Sequence, residues 1–246
     1  MLNKFFLISI IVVSVFAVKP QISSPLNPEQ KVYLSLYSVD QVDHAIKAAK
    51  KDGSAEALFF IGKLYEDGSG VDINQTKAIQ FYKRSSDLGN FNAKTQLGIM
   101  YFTGNGLLYN QKKGVNLLTI GASGGNPDAQ YFLSQIHFYG MGVPKDEKLG
   151  FQWALKSANQ NIGTSQYLVG WMYYVGRGIS ANEDNAIEWL TKASNNSVPE
   201  AQYMLGTILY KNKKMKTATF WIKQSINNGY REGLNYWNKH DLGQYE

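Results

Sequence analysis

Apolar residues along most of this chain recur at spacings of three and four, the period of a helix with one buried side, and do not alternate as in a half-buried strand. Around residue 130, for example, Ala129, Leu133, Ile136 and His137 share one stripe. Each such stretch is followed by a Gly-x-Gly (Gly68/Gly70, Gly104/Gly106, Gly140/Gly142, Gly176/Gly178) and then by a second helical pattern. Glycine takes positive φ without a Cβ clash, so these sites predict tight turns between paired helices. The pairs recur every 36 residues: Ala57, Ala93, Ala129, Ser165 and Ala201 mark one register, Gly62, Gly98, Gly170 and Gly206 a second, and Tyr65, Tyr101 and Tyr173 a third. A unit of this length cannot bury its apolar face alone and stacks on its neighbours. The pattern predicts an all-α, right-handed α-solenoid of five helix-turn-helix repeats with period 36, at 54–90, 91–126, 127–162, 163–198 and 199–230.

Capping residues follow the same period. Asn74, Asn110, Asp146 and Asn182 stand where a side chain accepts from a free N–H of a second helix's first turn. Pro127 and Pro199 suit the first turn of first helices. Second helices are expected to close in left-handed residues at Gly89, Gly125, Asn161, Ser197 and Gly229. Within them, the small Ala78, Gly114, Gly150 and Ala186 precede by three the bulky Phe81, Leu117, Trp153 and Trp189, so that one admits a neighbouring helix and the other fills the gap. Repeat five lacks both turn glycines, and Ala218 and Trp221 come four residues early. Residues 28–53, with Val42, Ala45, Ile46 and Ala49 at helical spacing, are expected to cap the array as N-terminal helices. Residues 231–246, with Trp237 in the leucine register, are expected to cap the other end.

Three segments carry a family resemblance: Ala-Gln-Tyr-Met-Leu-Gly at 201–206, Gly-Met-Gly-Val-Pro-Lys-Asp at 140–146 and Ala-Ile-Glu-Trp-Leu at 186–190. They resemble Sel1-like repeats, tetratricopeptide relatives with a longer turn, and the likeness spans about residues 54–230. Departures are Ser134 for the helix-contact glycine, His137 for the tyrosine and the missing turn glycines of repeat five.

Of the 246 residues, 44% are hydrophobic and 18% charged, which describes a folded protein. The net charge of +6 is spread thinly and does not point to nucleic acid. Residues 1–17 read as a secretory signal peptide: a positive head to Lys4, an apolar Phe5–Ala17 interrupted by two serines, and a cleavage site near Ala17. The apolar run is shorter than the ~20 residues of a spanning helix, which disfavours the competing reading of an uncleaved anchor. Residues 18–27 read as a leader. Export with no cysteine, hence no disulfide, suits a periplasmic or secreted protein of a bacterium.

Candidate chemistry is sparse. His44, His137 and His240 fall in distant repeats, so no metal, cofactor or catalytic triad is expected. The Gly-Asn-Gly and Gly-Arg-Gly turns imitate phosphate loops but recur as connectors. Cysteine-rich Sel1-like relatives are linked with β-lactam or peptidoglycan chemistry, from which the absent cysteines separate this protein.

A binding surface fits better. Positions two, six and nine after the marker are expected to face away from the buried stripe: Tyr167, Trp171 and Tyr174 in repeat four, with Phe59, Tyr131, Phe138, Tyr203 and Tyr210 in matching columns. Aromatic anchors along an inner curve suit a protein or peptide partner. The competing reading packs the tyrosine column against the next repeat. Trp171 leads because its counterparts Lys63, Ile99, Gln135 and Thr207 are not bulky aromatics. Lys211, Lys213, Lys214 and Lys216 form a basic patch for an acidic protein or envelope polymer, or simply a solvated loop. The expected protein is a monomeric, non-catalytic adaptor in the envelope that binds no nucleic acid and whose repeats bind no membrane. An immunity or inhibitor protein is the second reading and a hydrolase the third.

Overall fold

A computed structural model of the protein describes residues 42–245; the expected signal peptide, the leader and residues 28–41 of the expected cap lie outside the described residues. Among these, all regular structure is helical. Helix α1 (Val42–Asp52) precedes five pairs: α2 (Ala55–Asp67) with α3 (Gln75–Asp87), α4 (Phe91–Thr103) with α5 (Gln111–Ser123), α6 (Pro127–Tyr139) with α7 (Glu147–Ala158), α8 (Gly163–Val175) with α9 (Glu183–Asn195), and α10 (Pro199–Lys211) with α11 (Met215–Asn227). Helix α12 (Arg231–His240) and a 3-10 turn (Leu242–Tyr245) pack on α11. Each helix of the pairs packs on the one before it and the one after it, as in a solenoid.

Local chemistry sets the elements. The Gly-x-Gly turns have φ near +70° throughout, for instance 71° at Gly68 and 75° at Gly142. Residues closing the second helices are also left-handed, including the two non-glycines Asn161 (φ 63°) and Ser197 (φ 58°). Each expected cap accepts from the first turn, as Asn74 does from the Lys77 N–H at 2.9 Å and Asp146 from the Leu149 N–H at 2.9 Å. The first helices α4 and α6 are capped in the same way, because Asn90 and Asn126 accept from the marker N–H groups of Ala93 and Ala129, both at 2.8 Å.

Paired helices cross at small residues. In repeat two Gly98 faces Gly114 so closely that a Cβ on Gly114 would lie 2.9 Å from the Gly98 carbonyl oxygen. Repeat three tolerates Ser134 in this column because Gly150 stands opposite: a Cβ there would lie 2.9 Å from the Ser134 oxygen. The glycine moved to the other helix, and the close approach survived.

Polar ladders join the repeats. Gln130, Gln166 and Gln202, one after the marker, donate to the final turns of the preceding second helices, at Ala122 O, Ala158 O and Ser194 O. A second ladder runs from the first residue of α3, α7 and α9 to the next turn. Gln75 donates to Asn105 Oδ1 (2.8 Å), Arg177 Nε to Glu147 Oε2 (2.6 Å), and Asn212 to Glu183 Oε1 (2.7 Å). The Gly-Asn-Gly and Gly-Arg-Gly segments are therefore connectors whose middle residue staples adjacent repeats.

Candidate binding face

Side chains at positions two, six and nine of the first helices do not share one environment. Tyr131, Tyr167, Tyr174 and Tyr210 are half-buried at the border of the largest apolar cluster, and Tyr203 is half-buried as well. Trp171 and Phe138, by contrast, are 4% and 5% exposed, and Phe59 is buried as well, which corrects the expectation that these columns face away from the core. The reason is packing between successive first helices. The Trp171 indole of α8 meets the Phe138 ring of α6 edge-on, with centroids 5.7 Å apart. A bulky residue in a column of smaller ones fills the gap between two helices, so Trp171 is a core residue rather than an exposed anchor.

The half-buried tyrosines come together at the C-terminal end of the array. The Tyr203 ring lies 5.3 Å from that of Tyr230 and 5.8 Å from that of Tyr236, and Tyr210 is 5.8 Å from Tyr236. The His240 ring lies tilted against Tyr236 at 4.2 Å and approaches Tyr210 at 5.1 Å. Tyr230 occupies the position where earlier repeats carry Asn90 or Asn126, and it makes no side-chain cap. Helix α12 thus extends the aromatic face that α6, α8 and α10 begin.

Electrostatics show how closely this face gathers. Burial pushes the Tyr131 hydroxyl up to about 12, aided by Tyr139 and Glu200. Burial drives Tyr167 far above the ordinary tyrosine value, with further contributions from Tyr230, Glu200, Tyr131 and Tyr139. Tyr230 is raised strongly by burial, then by Glu232 and Glu200. Glu200 at the start of α10 therefore acts on tyrosines of α6, α8 and the α12 cap at once. Side chains of non-adjacent first helices are therefore near enough here to act on one another. Tyr131, Tyr167 and Tyr230 are all neutral near pH 7 and present hydroxyl donors.

Four buried polar atoms among the described residues lack a hydrogen-bond partner, two on first helices and two, Ser194 Oγ and Thr219 Oγ1, on the second helices α9 and α11. The Trp171 indole nitrogen and Gln135 Oε1 have no hydrogen-bond partner among the described residues. Each stands four residues after a site tyrosine, Tyr167 or Tyr131, hence one turn along on the same side. An unpaired buried group costs about 1–3 kcal/mol. Beside them Arg177 is held by Glu147 and lies 5.1 Å from the Phe138 ring centre. The Arg177 hydrogen bond holds the Glu147 carboxyl down at about 2, with Lys145 adding to the effect.

Elsewhere the expected sites stay apart. Lys211, Lys213, Lys214 and Lys216 are exposed in and around the shortened turn, where Lys213 has φ 59° and Lys214 caps α11 without a side-chain bond. His137 is half-buried, and burial lowers its pKa against the opposing charge of Asp146. No group of three or more His, Cys, Asp or Glu among the described residues could hold a metal. None of the described helices is long and apolar enough to cross a membrane.

Sequence reasoning missed Tyr139, Tyr230, Tyr236, Glu200 and Glu232. Glu200 and Glu232 each stand one before the marker position, a column that also holds Glu56 and Asp128. That column was readable once α12 was aligned with Gly233 as its marker; Tyr230 was hidden because it takes a capping position.

Comparison with known proteins places these features in context. The family model described as Sel1 repeat matches residues 55–90, 92–126, 127–162, 163–198 and 199–212. No curated protein matches this sequence. Among solved structures, a Sel1 repeat protein from Oxalobacter formigenes is 22% identical with a TM-score of 0.72, covering 82% of this protein and 89% of its own length. The protective antigen c5321 of uropathogenic Escherichia coli is 24% identical with a TM-score of 0.70, but the 78% of this protein that aligns spans only 42% of c5321. The immunity protein Pa5087 from Pseudomonas aeruginosa is 19% identical with a TM-score of 0.55, covering 84% of each protein. At these identities the likeness concerns the fold.

Proposed function

The chain belongs to the Sel1 repeat family, and from that premise we propose that it is a non-catalytic adaptor that holds a protein partner on the tyrosine face of α6, α8, α10 and α12. A Sel1 repeat scaffold fits protein–protein interaction. The observation that carries the location is the convergence of tyrosines from four consecutive first helices, with Tyr203, Tyr210, Tyr230 and Tyr236 in ring contact and Glu200 acting on Tyr131, Tyr167 and Tyr230. Tyrosine supplies large, stiff contact area with a polar tip, at low entropic cost on binding. A preformed solenoid also loses little freedom when it binds. The signal-like residues 1–17 favour work outside the cytoplasm, in the periplasm or beyond.

Crosslinking and mass spectrometry of partners captured from cell extract test this reading. The wild-type protein is compared with a Tyr167→Ala/Tyr174→Ala/Tyr203→Ala variant of matched helicity. A partner lost in the variant is the expected result; a partner retained equally by both overturns the assignment of the face.

A second reading is inhibition of an envelope toxin or enzyme. The observation favouring it is that an immunity protein shares this fold over most of both proteins. Co-expression with the product of an adjacent toxin gene tests it, since survival only in the presence of this protein is required.

A further inference from the structure

The turns of repeats one and two carry three large apolar side chains that the fold does not use. Ile73 is 72% exposed, Leu108 91% and Tyr109 63%. Ile73 and Tyr109 hold equivalent positions, each beside the glycine that closes a first helix: a Cβ on Gly68 would lie 2.6 Å from Ile73 Cγ1, and one on Gly104 3.5 Å from Tyr109 Cβ. In repeats three and four that position is Lys145 and Ala181, and the position of Leu108 is Pro144 and Ser180. The turn therefore accepts polar or small residues at both places. Val71 and Leu107, by contrast, pack against apolar clusters and belong to the core.

The two turns are neighbours in space. Gln75 at the start of α3 donates to Asn105 Oδ1 at 2.8 Å, and a Cβ on Gly106 would lie 2.5 Å from the Gln75 side chain. Ile73 stands two residues before Gln75 and Leu108 two after Gly106, so the three apolar side chains share one edge of the array.

Cations flank them. Lys77, Lys112 and Lys113 are exposed in the first turns of α3 and α5, with Lys77 over the Tyr65 ring at 4.9 Å and Lys113 over the Tyr101 ring at 4.3 Å. No described ion pair involves any of the three. Asp72 is the exposed carboxylate among them, while Glu66 and Asp67 at the end of α2 are both bonded to Lys63. A lysine in the first turn of a helix opposes the helix dipole, so local stability does not account for these positions.

We propose that this edge seats on a lipid bilayer, with Ile73, Leu108 and Tyr109 entering the headgroup boundary and Lys77, Lys112 and Lys113 meeting anionic phosphates. The inference is independent of the tyrosine face and leaves that face free for a partner. The expectation that the repeats bind no membrane rests on the helix faces; the contact here is made by turns and needs no spanning helix.

Exposure favours lipid over protein as the occupant. Side chains this exposed project from the surface, whereas the anchors of protein interfaces sit in desolvated pockets. A bilayer boundary closes around projecting side chains without a shaped counterpart. Tyrosine prefers the headgroup level, and lysines close to an anionic surface add attraction.

The test uses site-specific fluorescence on the full-length protein, so that any attraction by residues 1–17 is common to every sample. The sequence has no cysteine, and Ile73→Cys or Leu88→Cys therefore places an environment-sensitive fluorophore at one site. These positions flank α3 at opposite ends, about 20 Å apart. Each labelled protein, checked for unchanged helicity, is titrated with vesicles of phosphatidylcholine alone or mixed equally with phosphatidylglycerol, with and without nitroxide-bearing lipid as quencher. Leu108→Ser and Lys112→Gln/Lys113→Gln are then compared in the Ile73→Cys background.

The expected result is a blue shift and nitroxide quenching at position 73 on the anionic vesicles and none at position 88. Leu108→Ser weakens the partition read at position 73 at least about tenfold. Lys112→Gln/Lys113→Gln weakens it about tenfold on anionic vesicles, and added salt does the same. A position 73 label that responds no more than the position 88 label overturns the proposal. So does a label silent on vesicles but shifted by lipid-free cell extract, which assigns the edge to a protein. Insertion that is equal on both vesicle types and unaffected by the glutamine changes overturns the role of the lysines.

Discussion

Replacing Gly114 by alanine tests whether backbone-to-backbone contact spaces the helices of a repeat. The added Cβ would lie 2.8 Å from both Cβ and N of Phe102 and 2.9 Å from the Gly98 oxygen. Carbon atoms prefer separations of roughly 3.5–4.0 Å. Two of the three obstacles are backbone atoms, so helices α4 and α5 must part. Overpacking of this kind costs about 1–3 kcal/mol, from which the better helix propensity of alanine recovers up to about 1 kcal/mol. Because two of the obstacles are backbone, the upper part of that range applies, and the net loss of about 1–2 kcal/mol lowers Tm by a few degrees in a protein of this size. Thermal unfolding followed by circular dichroism measures it, with Gly243→Ala as control because nothing lies within 4 Å of that position. A Gly114→Ala protein that melts at or above wild type would refute the reasoning, since the small-residue column would then not set the spacing.

Other outcomes follow from the same packing and charges. Trp171→Ala should cost about 3–5 kcal/mol in urea unfolding; a loss under about 0.5 kcal/mol would return Trp171 to the surface. Lys214→Asn supplies the side-chain cap that α11 lacks and should raise stability by about 1 kcal/mol, read from the same unfolding curves. Glu147 titrates lower in the folded protein, at about 2 against an ordinary 4.5, so its contribution is full above the ordinary value and is lost as pH falls towards 2. Between those pH values wild type should therefore lose more unfolding free energy than Glu147→Gln, and parallel curves would contradict the Arg177–Glu147 link.

Much of the fold was legible because repetition makes each local signal recur. One Asn before a helix is weak evidence, but Asn74, Asn110, Asp146 and Asn182 at a constant interval define the second helices, and all four side chains do cap. Serine is a poorer left-handed residue than glycine or asparagine, yet Ser197 takes φ 58° because the array geometry demands that turn. The candidate face was only partly legible. Periodicity says which side of a helix a residue occupies but not how near the next first helix comes, so Trp171 and Tyr167, four residues apart, looked alike and were separated only by packing. Tyr230 and Tyr236 escaped notice for a related reason: they complete the face from the terminal helix, where the register is displaced and Gly233 replaces the marker alanine.

Photo-crosslinking from single positions tests the central claim most directly. A photoreactive phenylalanine analogue is placed at Tyr203, on the tyrosine face, or at Phe220, an exposed residue of the second helix α11. Each variant is expressed in its own host and irradiated in intact cells. A discrete crosslinked protein from position 203 and none from position 220 is the predicted result. The same protein crosslinked from position 220 alone, or from neither position, would contradict a partner seated on the tyrosine face.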